Sequence, residues 1–160
     1  MSDIAKLIQI LANNNLRLAT AESCTGGSLA AAVTSVPGAS LVFDCGIVSY
    51  SNGIKEKLLS VPGDILQNLG AVSRETACAM AAGALNTAKA DIALSTTGIA
   101  GPGGGTEAKP VGLVYIGLAD RNKAVATENR FEGSREEIRR QTVMKAFDML
   151  AEYLKEKGLE

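Results

Sequence analysis

The chain of 160 residues contains no histidine. That absence removes every Ser-His-acid and Cys-His nucleophile pair and every histidine metal site. A general base here has to be a lysine, a carboxylate, a tyrosine or a bound water. Cysteine is sparse: Cys24, Cys45 and Cys78 are odd in number, widely spaced and form no C-x-x-C pair. This speaks against structural zinc and for reduced thiols in a cytoplasm. No apolar run reaches the roughly 18–20 residues of a membrane span, and Met1-Ser-Asp-Ile-Ala-Lys6 carries no signal-peptide pattern. Charge of one sign is missing as well, the net value being −1, so nothing draws the chain generally to nucleic acid or membrane. No metal, cofactor, nucleic-acid or membrane partner is expected. Aromatic residues make up only 4 %, and packing has to rely on close backbone approach between Ala- and Gly-rich segments.

What is present organises as one folding unit, residues 1–160. Ile4, Leu7, Ile8 and Leu11 recur at helical spacing over about 3–14. Leu16–Ala21 reads as a strand, Ser28–Thr34 as a helix, and Leu41–Tyr50 as a long apolar strand of the buried kind. Short helices follow over Lys55–Leu59 and Ile65–Leu69. Ser73 is the candidate N-cap of a helix over Ser73–Ala88, with Ala77, Met80, Ala81, Ala84, Leu85 and Ala88 on one face. Asp91–Thr96, Val111–Ala119 and Ala124–Phe131 read as strands. Ser134-Arg-Glu-Glu137 is a capping box opening the last helix. Alternating strands and helices argue for an α/β layered fold. The four residues Asp120–Lys123 are too few for a parallel crossover, so the last two strands form a hairpin and the sheet is mixed.

Three constellations carry chemistry. Ser95–Gly112 is dense in glycine (Gly98, Gly101, Gly103, Gly104, Gly105, Gly112), which lets backbone N–H groups approach an anion, with Thr106 and Lys109 as a hydroxyl and a cation nearby. Glu22-Ser-Cys-Thr-Gly-Gly27 is a strand-to-helix turn offering Ser23, Cys24 and Thr25 as nucleophiles beside a helix N-terminus, or as simple helix caps. Tyr50-Ser-Asn-Gly-Ile-Lys55 follows another strand end. A lysine in the first turn of a helix is disfavoured as a cation, so its pKa falls and it can serve a serine as base. Tyr50 either orients that lysine or packs at the strand end. Arg135, Arg139 and Arg140 form a further group: the first two share a helix face, and Arg140 points about 100° away. Any of them suits a phosphate or an ion pair with Glu132, Glu136 or Glu137.

At Ala21–Gly27, Val48–Asn52 with Lys55, Gly70–Ser73 and Thr97–Thr106 with Lys109–Gly112, the chain resembles the nicotinamide-nucleotide amidase family, also called the CinA C-terminal domain family. The motifs occur in the same order from about residue 5 to 155. The resemblance implies an α/β/α fold with a mixed, mostly parallel central sheet. It implies hydrolysis of nicotinamide mononucleotide to nicotinic acid mononucleotide and ammonia. Ser23 is then the nucleophile and Lys55 the base, with Tyr50 beside them. N–H groups of Thr25, Gly26 and Gly27 hold the oxyanion. The loop with Thr97, Gly98, Gly101, Gly104, Gly105 and Thr106 holds the ribose phosphate, helped by Arg140. Some family members carry an N-terminal domain linked to nucleotide pyrophosphate hydrolysis; this chain starts at the amidase domain, so that activity is expected to be absent. A nucleotide-binding regulatory module on the same scaffold is the alternative, and a protein-interaction domain is a third reading. A homo-oligomer, most simply a dimer, is expected, since the Ala-rich helix over Ser73–Ala88 can pack on a partner as readily as on the sheet.

Overall fold

The computed structural model describes residues 2–159. Five strands build one sheet: β1 (Leu18–Glu22), β2 (Phe43–Val48), β3 (Ile92–Gly98), β4 (Leu113–Asp120) and β5 (Ala124–Arg130), in the order β2-β1-β3-β4-β5. β1 pairs in parallel with β2 and β3, whereas β4 pairs antiparallel with β3 and β5. Four strands thus point one way and β4 runs against them, which is the mixed sheet expected from the short 120–123 connection. From β1 the chain moves first to one neighbour and later to the other. That reversal opens a crevice at the carboxyl ends of β1 and β3, where ligands bind in open sheets.

Helices α1 (Ile4–Asn13), α2 (Ser28–Thr34) and α6 (Arg135–Glu156) cover one face, and α3 (Asn52–Leu59), α4 (Gly63–Asn68) and α5 (Arg74–Ala88) the other. The two faces use different residues. Toward α6 the strands turn large side chains, Leu18, Ile92, Leu94, Ile116 and Leu118, onto Phe147 and Leu150. Toward α5 they turn Ala19, Ala21 and Ala93. Small residues let α5 lie close on the sheet: a Cβ on Gly117 would stand 2.6 Å from the Ala77 carbonyl oxygen. Ser95 Oγ instead donates to that carbonyl at 2.6 Å. Caps follow the sequence: Ser73 accepts from the Thr76 N–H, and Ser134 with Glu137 closes the capping box of α6.

Two expectations are corrected. The run from Leu41 to Tyr50 is not a fully buried strand. Ala39–Leu41 forms a 3-10 turn, and β2 is a sheet edge whose residues alternate between half-buried and exposed. Pairing on one side only, with Asp44 and Gly46 inside it, leaves Val48 facing water. In the strand after the glycine loop, Pro110 and Gly112 (φ +91°) hold the chain in a turn, so β4 starts at Leu113. β3 in turn reaches Gly98, bringing Thr97 and Gly98 onto the strand end. Among the described residues no helix is long and apolar enough to cross a membrane.

The approach of α5 to α3 fixes the helix that carries Lys55. A Cβ on Gly83 would stand 2.0 Å from the Leu59 carbonyl oxygen. Overpacking of this kind costs about 1–3 kcal/mol, against at most about 1 kcal/mol of helix propensity gained by alanine. Gly83→Ala should therefore lower the urea midpoint with an unchanged denaturant slope. A midpoint at or above that of the parent would contradict this packing.

Candidate active site

Ser23 follows β1 directly, and its N–H donates to the Thr96 carbonyl, which holds the turn against β3. Gly26 (φ +58°) and Gly27 (φ +100°) then carry the chain through two left-handed residues into α2. Gly27 occupies the N-cap position of α2 and has no side chain to cap it. The carboxylate of Glu22 does so from the strand. One oxygen accepts from Thr25 Oγ1 (2.6 Å), Gly27 N (3.0 Å) and Leu29 N (2.9 Å), the other from Ala30 N (2.8 Å). Glu22 is wholly buried. The Gly26 N–H donates to the Ser23 carbonyl. The Gly26 and Gly27 N–H groups are thus occupied, whereas those of Cys24 and Thr25 meet no oxygen acceptor among the described residues.

Lys55 enters from α3. Ser51 caps that helix by accepting from the Ile54 N–H, and Lys55 sits at its fourth position. Its side chain points inward and is only 1 % exposed. Nζ lies 3.2 Å from Ser23 Oγ and donates to the Ser49 carbonyl at 2.8 Å. No carboxylate pairs with it among the described residues. Burial pushes its pKa below that of an ordinary lysine, because desolvation disfavours the ammonium. A neutral amine at this distance can take the Ser23 proton.

Cys24 also lines the cleft, but its surroundings disfavour the thiolate. It is 5 % exposed, and burial pushes the thiol up to about 12, with the Glu22 charge adding to the effect. A thiol held protonated at neutral pH is a poor nucleophile.

The cleft over these groups has a volume of about 280 Å³, near the lower end of the roughly 300–1,000 Å³ of small-molecule sites. Ser23, Lys55 and Tyr50 line it, as do Thr97, Gly98, Gly101 and Gly104. Thr97 Oγ1 donates to the Ala71 carbonyl at 2.6 Å, fastening the end of β3 to the segment before α5. Tyr50 makes no hydrogen bond to Lys55. It is 63 % exposed, and its hydroxyl accepts from Arg135 at 3.0 Å. Arg135 also donates to the Gly101 carbonyl at 2.8 Å, so its guanidinium spans the mouth between the Tyr50 arm and the glycine loop.

Several expected residues lie elsewhere. Arg140 lines a neighbouring depression with Ser28, Glu136, Arg139, Val143 and Met144, a turn of the helix away from the cleft. Arg135 is the arginine of α6 that reaches the cleft. Arg139 donates to the Thr25 carbonyl (2.7 Å) and to Ser28 Oγ (3.0 Å), gripping the turn after Ser23. Thr106 closes a turn on itself, with its N–H on the Lys109 carbonyl and its Oγ1 accepting from the Lys109 N–H. Lys109 Nζ is held by the Leu69 carbonyl. Gly105 packs against Val111 and, with Thr106, lies outside the cleft lining. Thr25 is buried, with its hydroxyl bonded to Glu22 and Thr96, so its side chain does not reach the cleft. Glu22, Asn52, Ala71 and Val72 stand within the motifs of the sequence, but the sequence alone assigns them no site role. The first had a legible signal, an acid five residues before a glycine that cannot cap its own helix.

Comparison with known proteins gives a consistent result. The family model described as the CinA C-terminal domain matches residues 2–154. A CinA-like protein of Endomicrobium trichonymphae is 51 % identical over 142 residues, covering 89 % of this chain and 33 % of its own length. The chain spans about a third of the length of the curated relatives it matches. The competence/damage inducible protein CihA of Agrobacterium tumefaciens superposes with a TM-score of 0.87 at 44 % identity, over 94 % of this chain and 95 % of that one. A CinA superfamily protein of Klebsiella pneumoniae superposes with a TM-score of 0.91 at 34 % identity, over 97 % and 99 %.

The burial of Cys24 has a direct consequence. Iodoacetamide at pH 8 should alkylate Cys45, which is only half-buried, well before Cys24 in the native protein, as read by peptide mass mapping. Equal or faster modification of Cys24 would overturn its assignment as an inert thiol.

Proposed function

The chain belongs to the CinA C-terminal domain family, and from that premise we propose that it is an amidohydrolase converting nicotinamide mononucleotide and water to nicotinic acid mononucleotide and ammonia. The observation that carries this reading is the 3.2 Å approach of a buried, acid-free Lys55 amine to Ser23 Oγ. Neutral Lys55 accepts the Ser23 proton as Oγ attacks the carboxamide carbon. The resulting oxyanion takes hydrogen bonds from the Cys24 and Thr25 N–H groups. On collapse, Lys55 returns the proton to the departing nitrogen and ammonia leaves. Water then attacks the acyl ester and gives one proton to Lys55, which passes it to Ser23 as the acid is released and loses its remaining proton to solvent.

The electrostatics of the cleft support the substrate. The ligand carries a cationic pyridinium next to the scissile amide and an anionic phosphate at its other end. A protonated lysine beside the pyridinium would repel it, and a neutral one does not. Tyr50 offers its ring to the pyridinium, and Arg135 offers its guanidinium to the phosphate at the glycine-loop rim. No carboxylate lines the cleft among the described residues, so nothing there opposes the phosphate. The reaction needs no metal or organic cofactor, and widely spaced free cysteines fit a cytoplasmic setting.

Ammonia release from nicotinamide mononucleotide tests the reading. The parent should turn over, and Ser23→Ala and Lys55→Ala should each lose about a thousandfold or more in kcat/KM. Saturable binding of the nucleotide without ammonia would make this a binding module instead. The pH profile follows from the sign of the Lys55 shift. Catalysis needs the neutral amine, so kcat/KM rises as pH increases through the depressed pKa and levels off below about 10.4, the value of a free lysine. A rate that keeps climbing beyond that pH would remove Lys55 as the base.

A further inference from the structure

Glu22 lies under the nucleophile without lining the cleft, and it takes no part in the steps above. A buried carboxylate costs several kcal/mol to desolvate unless its lone pairs are met. Here four donors meet them, all from the eight residues that follow: Thr25 Oγ1 and the N–H groups of Gly27, Leu29 and Ala30. Leu29 and Ala30 are the second and third residues of α2, whose N–H groups a helix normally satisfies from its own N-cap side chain. Glycine at the N-cap hands that task to the strand residue before Ser23. The charge of Glu22 therefore answers the positive end of α2 from beneath, so this helix terminus is closed to substrate. Thr25 is held from two further sides, by Thr96 Oγ1 at 2.7 Å and by Arg139 on its carbonyl at 2.7 Å.

Resting on the amidase reading, we infer that Glu22 is a positioning residue for catalysis: by binding Thr25 Oγ1 and the first N–H groups of α2, its carboxylate fixes the Ser23–Gly27 turn so that Ser23 Oγ meets Lys55 and the Cys24 and Thr25 N–H groups stay free for the oxyanion. Glutamine in its place keeps the size but sets an NH2 against one of the backbone donors. The turn then shifts, and a misplacement of about 1 Å at a reacting group costs about a hundredfold in rate. The substrate's distant contacts, at Tyr50, Arg135 and the glycine loop, are untouched, so the loss falls on kcat and not on KM.

The test compares parent, Glu22→Gln, Thr25→Val and Thr25→Ser in two assays. One is nicotinamide mononucleotide turnover; the other is the rate of Ser23 phosphonylation by a fluorophosphonate, which reads the nucleophile and its oxyanion donors without the substrate. Folding is monitored by circular dichroism and thermal melting. Glu22→Gln should fold, lose about a hundredfold in kcat with KM within about twofold, and lose phosphonylation rate in proportion. Thr25→Val should lose part of the same rate, and Thr25→Ser should recover most of that part, because it restores the hydroxyl donor. A folded Glu22→Gln with kcat and phosphonylation rate within about threefold of the parent overturns the proposal. If Glu22→Gln does not fold, the Thr25 pair decides by the same criteria, and equal rates for valine and serine overturn it. Parent protein that is phosphonylated at Ser23 but releases no ammonia defeats the substrate assignment, while the role of Glu22 is still read from phosphonylation. Parent protein inert in both assays defeats both.

Discussion

The Lys55 amine is held out of water by the exits of β1 and β2 and by its own helix α3, with two oxygen neighbours and, among the described residues, no carboxylate paired with it. Desolvation disfavours an ammonium in such surroundings, which pushes the Lys55 pKa below that of an ordinary lysine. Chemistry and fold are joined at this point. In the proposed reaction a chain without histidine draws on lysine as its base, and burial moves that lysine toward its neutral form. The burial depends on α3 lying tight against α5, which is possible because Gly83 and the alanines of α5 bring backbone against backbone. The scarcity of aromatic residues and the small-residue face of the sheet serve the same end.

Three charged groups are placed around that amine with separate tasks. The Glu22 carboxyl makes no contact with Lys55 among the described residues and accepts from the backbone donors around the start of α2. Arg139 holds the carbonyl of the same turn from α6. Arg135, one helical turn earlier, reaches the mouth of the cleft. Successive residues of a helix point about 100° apart, so Arg140 leaves the cleft although it adjoins Arg139 in sequence. One helix thereby supports the turn after Ser23 from one position and reaches the mouth of the cleft from another.

Much of this was legible in the sequence. Ser23 and Lys55 could be placed at strand ends because glycine clusters and capping serines punctuate the chain there. The hairpin followed from the length of one loop, and α6 from its capping box. Other features were not legible, for physical reasons. Apolar content cannot tell an edge strand from a central one, since the neighbour that would cover β2 is a matter of topology. A glycine-rich loop announces flexibility without saying which of its backbone groups face the ligand, and Gly105 and Thr106 turned out to serve the loop itself. Choosing among Arg135, Arg139 and Arg140 needed the rotation of α6 against the sheet. Glu22 left one trace in the sequence, an acid five residues before a glycine N-cap, but three of its four partners are backbone N–H groups, which no residue pattern displays.

The central claim, that Lys55 is a neutral amine beside Ser23, is tested most directly by NMR titration of protein labelled with carbon-13 at the lysine ε position. The Lys55 signal is assigned by its loss in Lys55→Met. The account predicts one lysine titrating clearly below all the others, and a shift of that midpoint on Ser23→Ala. A Lys55 signal that titrates with the surface lysines would contradict it.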